Sequence, residues 1–179
     1  MVGRTTEGAG RTRRVIVSNT GPLLHLREIA ALPLIGSLGE VLIPPAVNEE
    51  AAVHDDQWTQ ARPFWIRVFA LENPYLARAM SFVETGALHL GESEAIALSL
   101  QMGADWFLTD DAAARRFGNA LGLEVHGSLG VVLAALGDGT CSPEDAENAL
   151  SRLRCSSLHL TDEVWERARM ALNRLVART

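Results

Sequence analysis

One amide and four carboxylates in this sequence sit where apolar runs end or apolar helices begin, and a fifth lies on a helix stripe. The stretch "FLTDDAAARR", residues 107–116, puts Asp110 and Asp111 side by side after an apolar run. Adjacent like charges repel, so a helix N-terminus, the following Arg115 and Arg116, or a cation must compensate. Glu92 and Glu94 open a segment that is apolar nearly all round: Ala95, Ile96, Ala97, Leu98, Leu100 and Met102. Glu50 falls at helical spacing with Ala46, Val47 and Val53 on an inward stripe, where a carboxylate needs a partner. Asn19 follows the run Val15, Ile16, Val17. Each position also has a local explanation. Asp111 can cap a helix starting at Ala112 or pair with Arg115, Glu92 and Glu94 can complement a helix start, and Glu50 can lie at a helix edge. Taken together, three segments bring carboxylates and a fourth brings an amide to one region. A hard cation with oxygen ligands, Mg²⁺ or Mn²⁺, is the natural compensation. Such an ion lowers the pKa of a bound water and clamps a phosphodiester for in-line attack.

The elements that must position these groups are legible from periodicity. Short apolar runs at 15–17, 41–43, 65–69, 106–108 and around 124–125 read as strands buried on both faces. Between them lie helices: one after the turn Ser18–Pro22, a short one over "AALPLIGSL", one opened by Pro44-Pro45, and others at 75–84, 92–102 and 112–121. A further helix follows residue 125, and two more, at 143–153 and 162–176, close the chain. Strands alternating with helices predict an α/β fold of three layers, α/β/α, around a parallel sheet of about four to five strands. In such sheets sites form at the carboxyl ends of strands. Residues 1–14 read as a disordered basic tail, 15–140 as the main domain, and 141–179 as a helical extension packed on it. The spacing of Val164, Ala168, Ala171, Leu172 and Leu175 fits core packing or a homodimer or partner surface.

Composition narrows the chemistry. All 16 basic residues are arginine, which excludes a Walker A loop, Schiff-base chemistry and a pyridoxal-phosphate lysine. The net charge is −6, with +3 in residues 1–14 and −9 in the rest. That is not the footprint of a general nucleic-acid binder; contacts to nucleic acid must come from local arginines, the tail or a metal. Cys141 and Cys155 are too few for a zinc site or a disulfide framework. No run is long enough for a membrane span, and no signal-peptide pattern follows the N-terminal arginines, so a cytoplasmic location is expected.

"IVSNTGPLLHL", "VLIPPAVNEE" and "LHLGESEAIALSLQMGADWFLTDDAAARRFGNALGLEVHGSLGVVLAAL" resemble the PIN-domain superfamily, over about Val15 to Leu136. The resemblance is to a bacterial and archaeal PIN-like subgroup, and it implies a metal-dependent ribonuclease, in many relatives the toxin of a toxin–antitoxin pair. It implies Mg²⁺ or Mn²⁺ as cofactor, single-stranded RNA as substrate and metal-activated water as attacking group. An antitoxin-like protein is the implied partner. Position by position, it puts the first acidic site at Asn19, the second at Glu50, the third at Glu94 and the fourth at Asp111, with Asp110 beside it as ligand or base. Thr20 or Thr109 would offer a hydroxyl near the metal, Glu92 would stand behind the ligands, and Arg115 and Arg116 would face phosphate. Active relatives usually have Asp at the first site. Asn19 keeps a carbonyl oxygen but has no charge and cannot act as a base. The alternative is therefore a non-catalytic PIN-like module that binds RNA or protein.

Overall fold

In the computed structural model, which describes residues 13–178, five strands pair in parallel in the order β3-β2-β1-β4-β5. They are β1 (Arg14–Ser18), β2 (Gly39–Ile43), β3 (Ile66–Val68), β4 (Trp106–Leu108) and β5 (Val125–His126). Ile16, Val17, Val41, Ile43, Phe107 and Leu108 are fully buried, as continuous apolar runs in a sheet covered on both faces must be.

The helices are α1 (Thr20–Glu28), α2 (Pro33–Leu38), α3 (Pro45–His54), a short α4 (Trp58–Ala61), α5 (Tyr75–Glu84), α6 (Leu90–Met102), α7 (Ala112–Ala120), α8 (Ser128–Gly137), α9 (Pro143–Arg154) and α10 (Asp162–Val176). Helix α6 packs on β1 and β4 and contacts α3, α5 and α7, while α8 packs with α2, α9 and α10. The result is the three-layer α/β/α arrangement that the alternation of strands and helices predicts.

Differences from the sequence expectation are local. Helix α6 starts at Leu90, two residues early, because the Glu92 carboxylate accepts from His89 N at 2.9 Å and closes the first turn. The stripe on α3 ends before Val53, which is 79% exposed; Ala51 is the buried residue instead. The basic tail expected over 1–14 lies outside the described residues except at its end. There Arg13 donates to Gly36 O, and Arg14 starts β1, pairs with Asp138 at 2.8 Å and covers the Trp106 ring. On α10, Trp165 and Leu172 are buried with Leu150, Leu153 and Leu158 in one apolar cluster continuous with the sheet, and Ala168 is buried too, so that stripe is core. Val164 is exposed. Both cysteines are free. No helix among the described residues is long and apolar enough to cross a membrane.

The strand order decides where a site can form. From β1 the chain moves outward through β2 to β3, then returns to the other side of β1 for β4 and β5. The switch point is therefore the gap between β1 and β4 at their carboxyl ends. Ser18 is in register with Leu108, and Asn19 N donates to Leu108 O at 2.8 Å. This pairing sets Asn19 beside Thr109, Asp110 and Asp111.

Candidate functional site

Two strand ends and the starts of α1, α6 and α7 surround a hollow of about 480 Å³ at this switch point. Asn19, Thr20, Glu50, Glu92, Asp110 and Asp111 all line it. Glu94, Thr109, Arg115 and Arg116 do not.

Asn19 caps α1: its Oδ1 accepts from Thr20 N at 2.7 Å. Its Nδ2 reaches Thr109 Oγ1 at 3.4 Å, and the same hydroxyl accepts from Asp111 N at 3.1 Å. The fully buried Thr109 thus ties the β1 end to the β4 end, behind the hollow and not within it. Thr20 donates from Oγ1 to Glu50 Oε2 at 2.6 Å, and Gly91 N donates to Glu50 Oε1 at 3.2 Å. Glu50 is therefore held between the first turns of α1 and α6, whose N-terminal dipoles favour its charge.

Gly91 is required there by space. A Cβ at this position would stand 2.4 Å from Glu50 Oε1 and 2.5 Å from Oε2. Gly91→Ala is expected to displace the carboxylate with at most a modest loss in Tm, because a helix-propensity gain of up to ~1 kcal/mol partly offsets the broken bonds to Thr20 and Gly91. Mn²⁺ binding, read by calorimetry beside a thermal melt, should weaken by about tenfold or more, as for loss of a group that orients a ligand. Unchanged Mn²⁺ binding would remove Glu50 from the ligand set.

The third carboxylate of the hollow is Glu92, which the sequence reading set behind the ligands. The resemblance gave that place to Glu94, but Glu94 Oε2 accepts from Ala46 N at 3.0 Å. Helix α3 opens on Pro44 and Pro45 with no side-chain cap of its own, and Glu94 reaches across from α6 to supply one. The close contact of Gly91 with Glu50 fixes the phase of α6, and that phase turns position 92 to the hollow. The signal was present in sequence as the capping pair His89 and Glu92 beside a glycine.

Asp110 and Asp111 divide the work the sequence left joined. Asp111 caps α7 through Oδ1, which accepts from Ala114 N at 2.7 Å, and is exposed to the hollow. Asp110 turns to α8: Oδ1 accepts from Ser128 N at 2.8 Å and Oδ2 from Ser128 Oγ at 2.5 Å. His25 Nδ1 lies 2.8 Å from the same Oδ2, and since an ionised carboxylate only accepts, the imidazole is the donor. Gly21 and His25, one helical turn apart on α1, face Asp110, a relation visible in sequence only in hindsight. Arg115 points inward, with Nη2 on Thr109 O at 2.8 Å and Nη1 on Val125 O, so it braces strand ends and does not face phosphate. Arg116 is exposed on α7.

Charge converges on the hollow. The Glu92 carboxyl is held above its ordinary range, first by burial and then by the Asp111 and Glu50 charges, against the opposing pull of His89. Because the folded state disfavours the ionised form, Glu92 costs stability once both states are ionised and costs nothing when both are protonated. Glu92→Gln keeps an acceptor for His89 N and should be more stable than the parent at pH 7. The gain is under ~1 kcal/mol because the side chain is partly in water. The difference should shrink as pH falls through the raised pKa and vanish well below the ordinary value of 4.5. Paired urea melts from pH 7 to 3.5 read this directly; a less stable variant at pH 7 would refute it.

The donor set is all oxygen, which in kind fits a hard cation. Glu92 and Asp111 each spend one oxygen on a helix cap and keep the other for a further partner. As placed, no three His, Cys, Asp or Glu side chains among the described residues stand close enough together to hold an ion. No curated protein sequence matches the chain. The family profile of the PIN domain matches residues 15–174, from β1 into α10. PIN domains are typically nucleases that use divalent metals. A parallel sheet in this order, with its acidic hollow at the switch point, agrees with that match over most of the sequence, and the chain belongs to the PIN-domain family.

Proposed function

We propose that this protein is a divalent-metal-dependent endoribonuclease acting on single-stranded RNA. The observation that carries the reading is the meeting of Glu50 from α3, Glu92 from α6 and Asp111 from the N-cap of α7 on one hollow at the switch point. Mg²⁺ or Mn²⁺ would be held by these three side chains, with Glu94 committed to capping α3. When bound, the cation supplies electrophilic charge toward a phosphodiester and its attacking water. Thr20 and Gly91 fix the Glu50 carboxylate. Asn19 ties β1 to β4 and presents its amide at the floor of the hollow, where an aspartate would add charge. Asp110 holds α8 and the wall opposite.

A second reading, an RNA- or protein-binding module with a weakened acidic site, is favoured by Asn19, which removes one negative charge. The two are separated by incubating folded protein with a mixed-sequence single-stranded RNA and Mn²⁺, Mg²⁺ or EDTA, beside a Glu50→Gln control. Cutting that needs metal and is lost in the control supports the nuclease. RNA binding without cutting under any metal supports the module.

A further inference from the structure

The helical extension reaches the acidic hollow. Ser157, Leu158 and His159, in the loop between α9 and α10, form part of its wall. Leu158 and His159 also line an adjoining hollow of about 390 Å³ with Arg154, Leu160 and Thr161. The two hollows share Leu158 and His159 and so adjoin at the loop.

This matters because the hollow repels its own substrate. Its walls carry carboxylates, the chain has no lysine, Arg115 is turned inward, and His25 is held by Asp110. A polyanion bound there needs cations just outside, along the path its flanking nucleotides take. On the α9–α10 side the cation is Arg154, and beside it His159 offers a ring N–H to a phosphate oxygen; both are exposed. Arg154 lies over the Trp165 ring at 5.0 Å and bonds Asp162 at 3.2 Å. Asp162 is 95% exposed, so this pair is weak and Arg154 is available to a phosphate.

The loop is also anchored on both sides of this surface. Glu28 at the end of α1 accepts from Ser157 N at 3.1 Å and from Ser157 Oγ at 2.6 Å, and these bonds hold its carboxyl below the ordinary range. Leu158 is buried in the core. The backbone at His159 is thereby held where the two hollows adjoin.

We propose that the α9–α10 loop is a substrate-positioning arm, with His159 and Arg154 holding backbone phosphates of single-stranded RNA as it leaves the acidic site. This rests on the nuclease reading for the identity of the substrate. The test uses the full chain with His159→Ala, Arg154→Gln and the double variant. Arg169→Gln, an exposed α10 arginine outside both hollows, removes a like charge as the control. Cleavage of a labelled 12-nucleotide RNA in Mn²⁺ gives kcat and KM. Anisotropy of the same RNA in EDTA, over a salt series, gives affinity and its salt slope.

The double variant should raise KM and Kd by roughly tenfold, leave kcat unchanged and lower the salt slope by about one, while Arg169→Gln changes none of these. If the parent binds but never cuts, the nuclease reading falls, and a tenfold weaker Kd in the double variant still supports the arm. Unchanged KM and Kd in the double variant overturn the arm even if the parent cuts. So does an equal loss in Arg169→Gln. A parent that neither cuts nor binds RNA overturns both.

Discussion

Asp111→Asn will fold and melt like the parent protein and lose at least about 100-fold in metal-dependent RNA cleavage. Asn is as good an N-cap as Asp, so Ala114 N keeps its acceptor and α7 its start. The side chain is exposed, so no buried contact is lost. What disappears is one charge of the three that would hold the cation, and with it part of the electrostatic stabilisation of the transition state. Losing about 3 kcal/mol of that stabilisation corresponds to roughly two powers of ten in rate. The neighbouring Glu92 should relax toward its ordinary pKa, since Asp111 helps to raise it. Single-turnover cleavage in Mn²⁺ beside a thermal melt makes the measurement. Full activity in the variant would move the reacting centre out of this hollow.

Asp110→Ala will behave in the opposite way and chiefly destabilise the fold. Its carboxylate is the acceptor for three donors: Ser128 N, Ser128 Oγ and His25 Nδ1. The Asp110 side chain is only 10% exposed, so water replaces it poorly, and removal strands Ser128 at the first turn of α8 and His25 on α1. Breaking a nearly buried, charge-assisted network of this kind costs about 3 kcal/mol, or roughly 10 °C in Tm for a chain this size. Asp110→Asn, which keeps one acceptor oxygen, should fall between. Urea unfolding followed by circular dichroism decides the matter. A loss below about 0.5 kcal/mol, within the range of an ordinary surface substitution, would contradict the network. Lost cleavage in a protein of parental stability would return Asp110 to the role of ligand or base. Adjacent aspartates with such different consequences are a sharp test, because they differ by one residue in position and not at all in type.

The sequence by itself determined the strands and every helix but the short α4, and with them the parallel α/β fold. Buried strands show as Val-, Ile- and Leu-rich runs, and helices show as caps and periodic stripes, so both are written within a few residues of one another. It also determined that Glu92, Glu94, Asp110 and Asp111 stand where an apolar helix opens or an apolar run ends, and that Glu50 lies on the inward stripe of a helix. Which carboxylates share the hollow was decided only by the tertiary structure. Glu92 and Glu94 differ by two positions on one helix, a rotation of about half a turn. Their fates depend on how α6 docks: Gly91 against Glu50 on one side, the uncapped start of α3 on the other. Asp110 was likewise claimed by Ser128 and His25, which are 18 and 85 residues away in the chain. Arg115 was claimed by strand-end carbonyls for the same reason: buried polar groups must be paired, and the nearest partner in space belongs to another element. The α9–α10 loop joined the site because the Leu158 side chain and the Glu28–Ser157 bonds hold it to the core and to α1. Such long-range pairings carry no local periodicity, which is why they become visible only once the chain is folded.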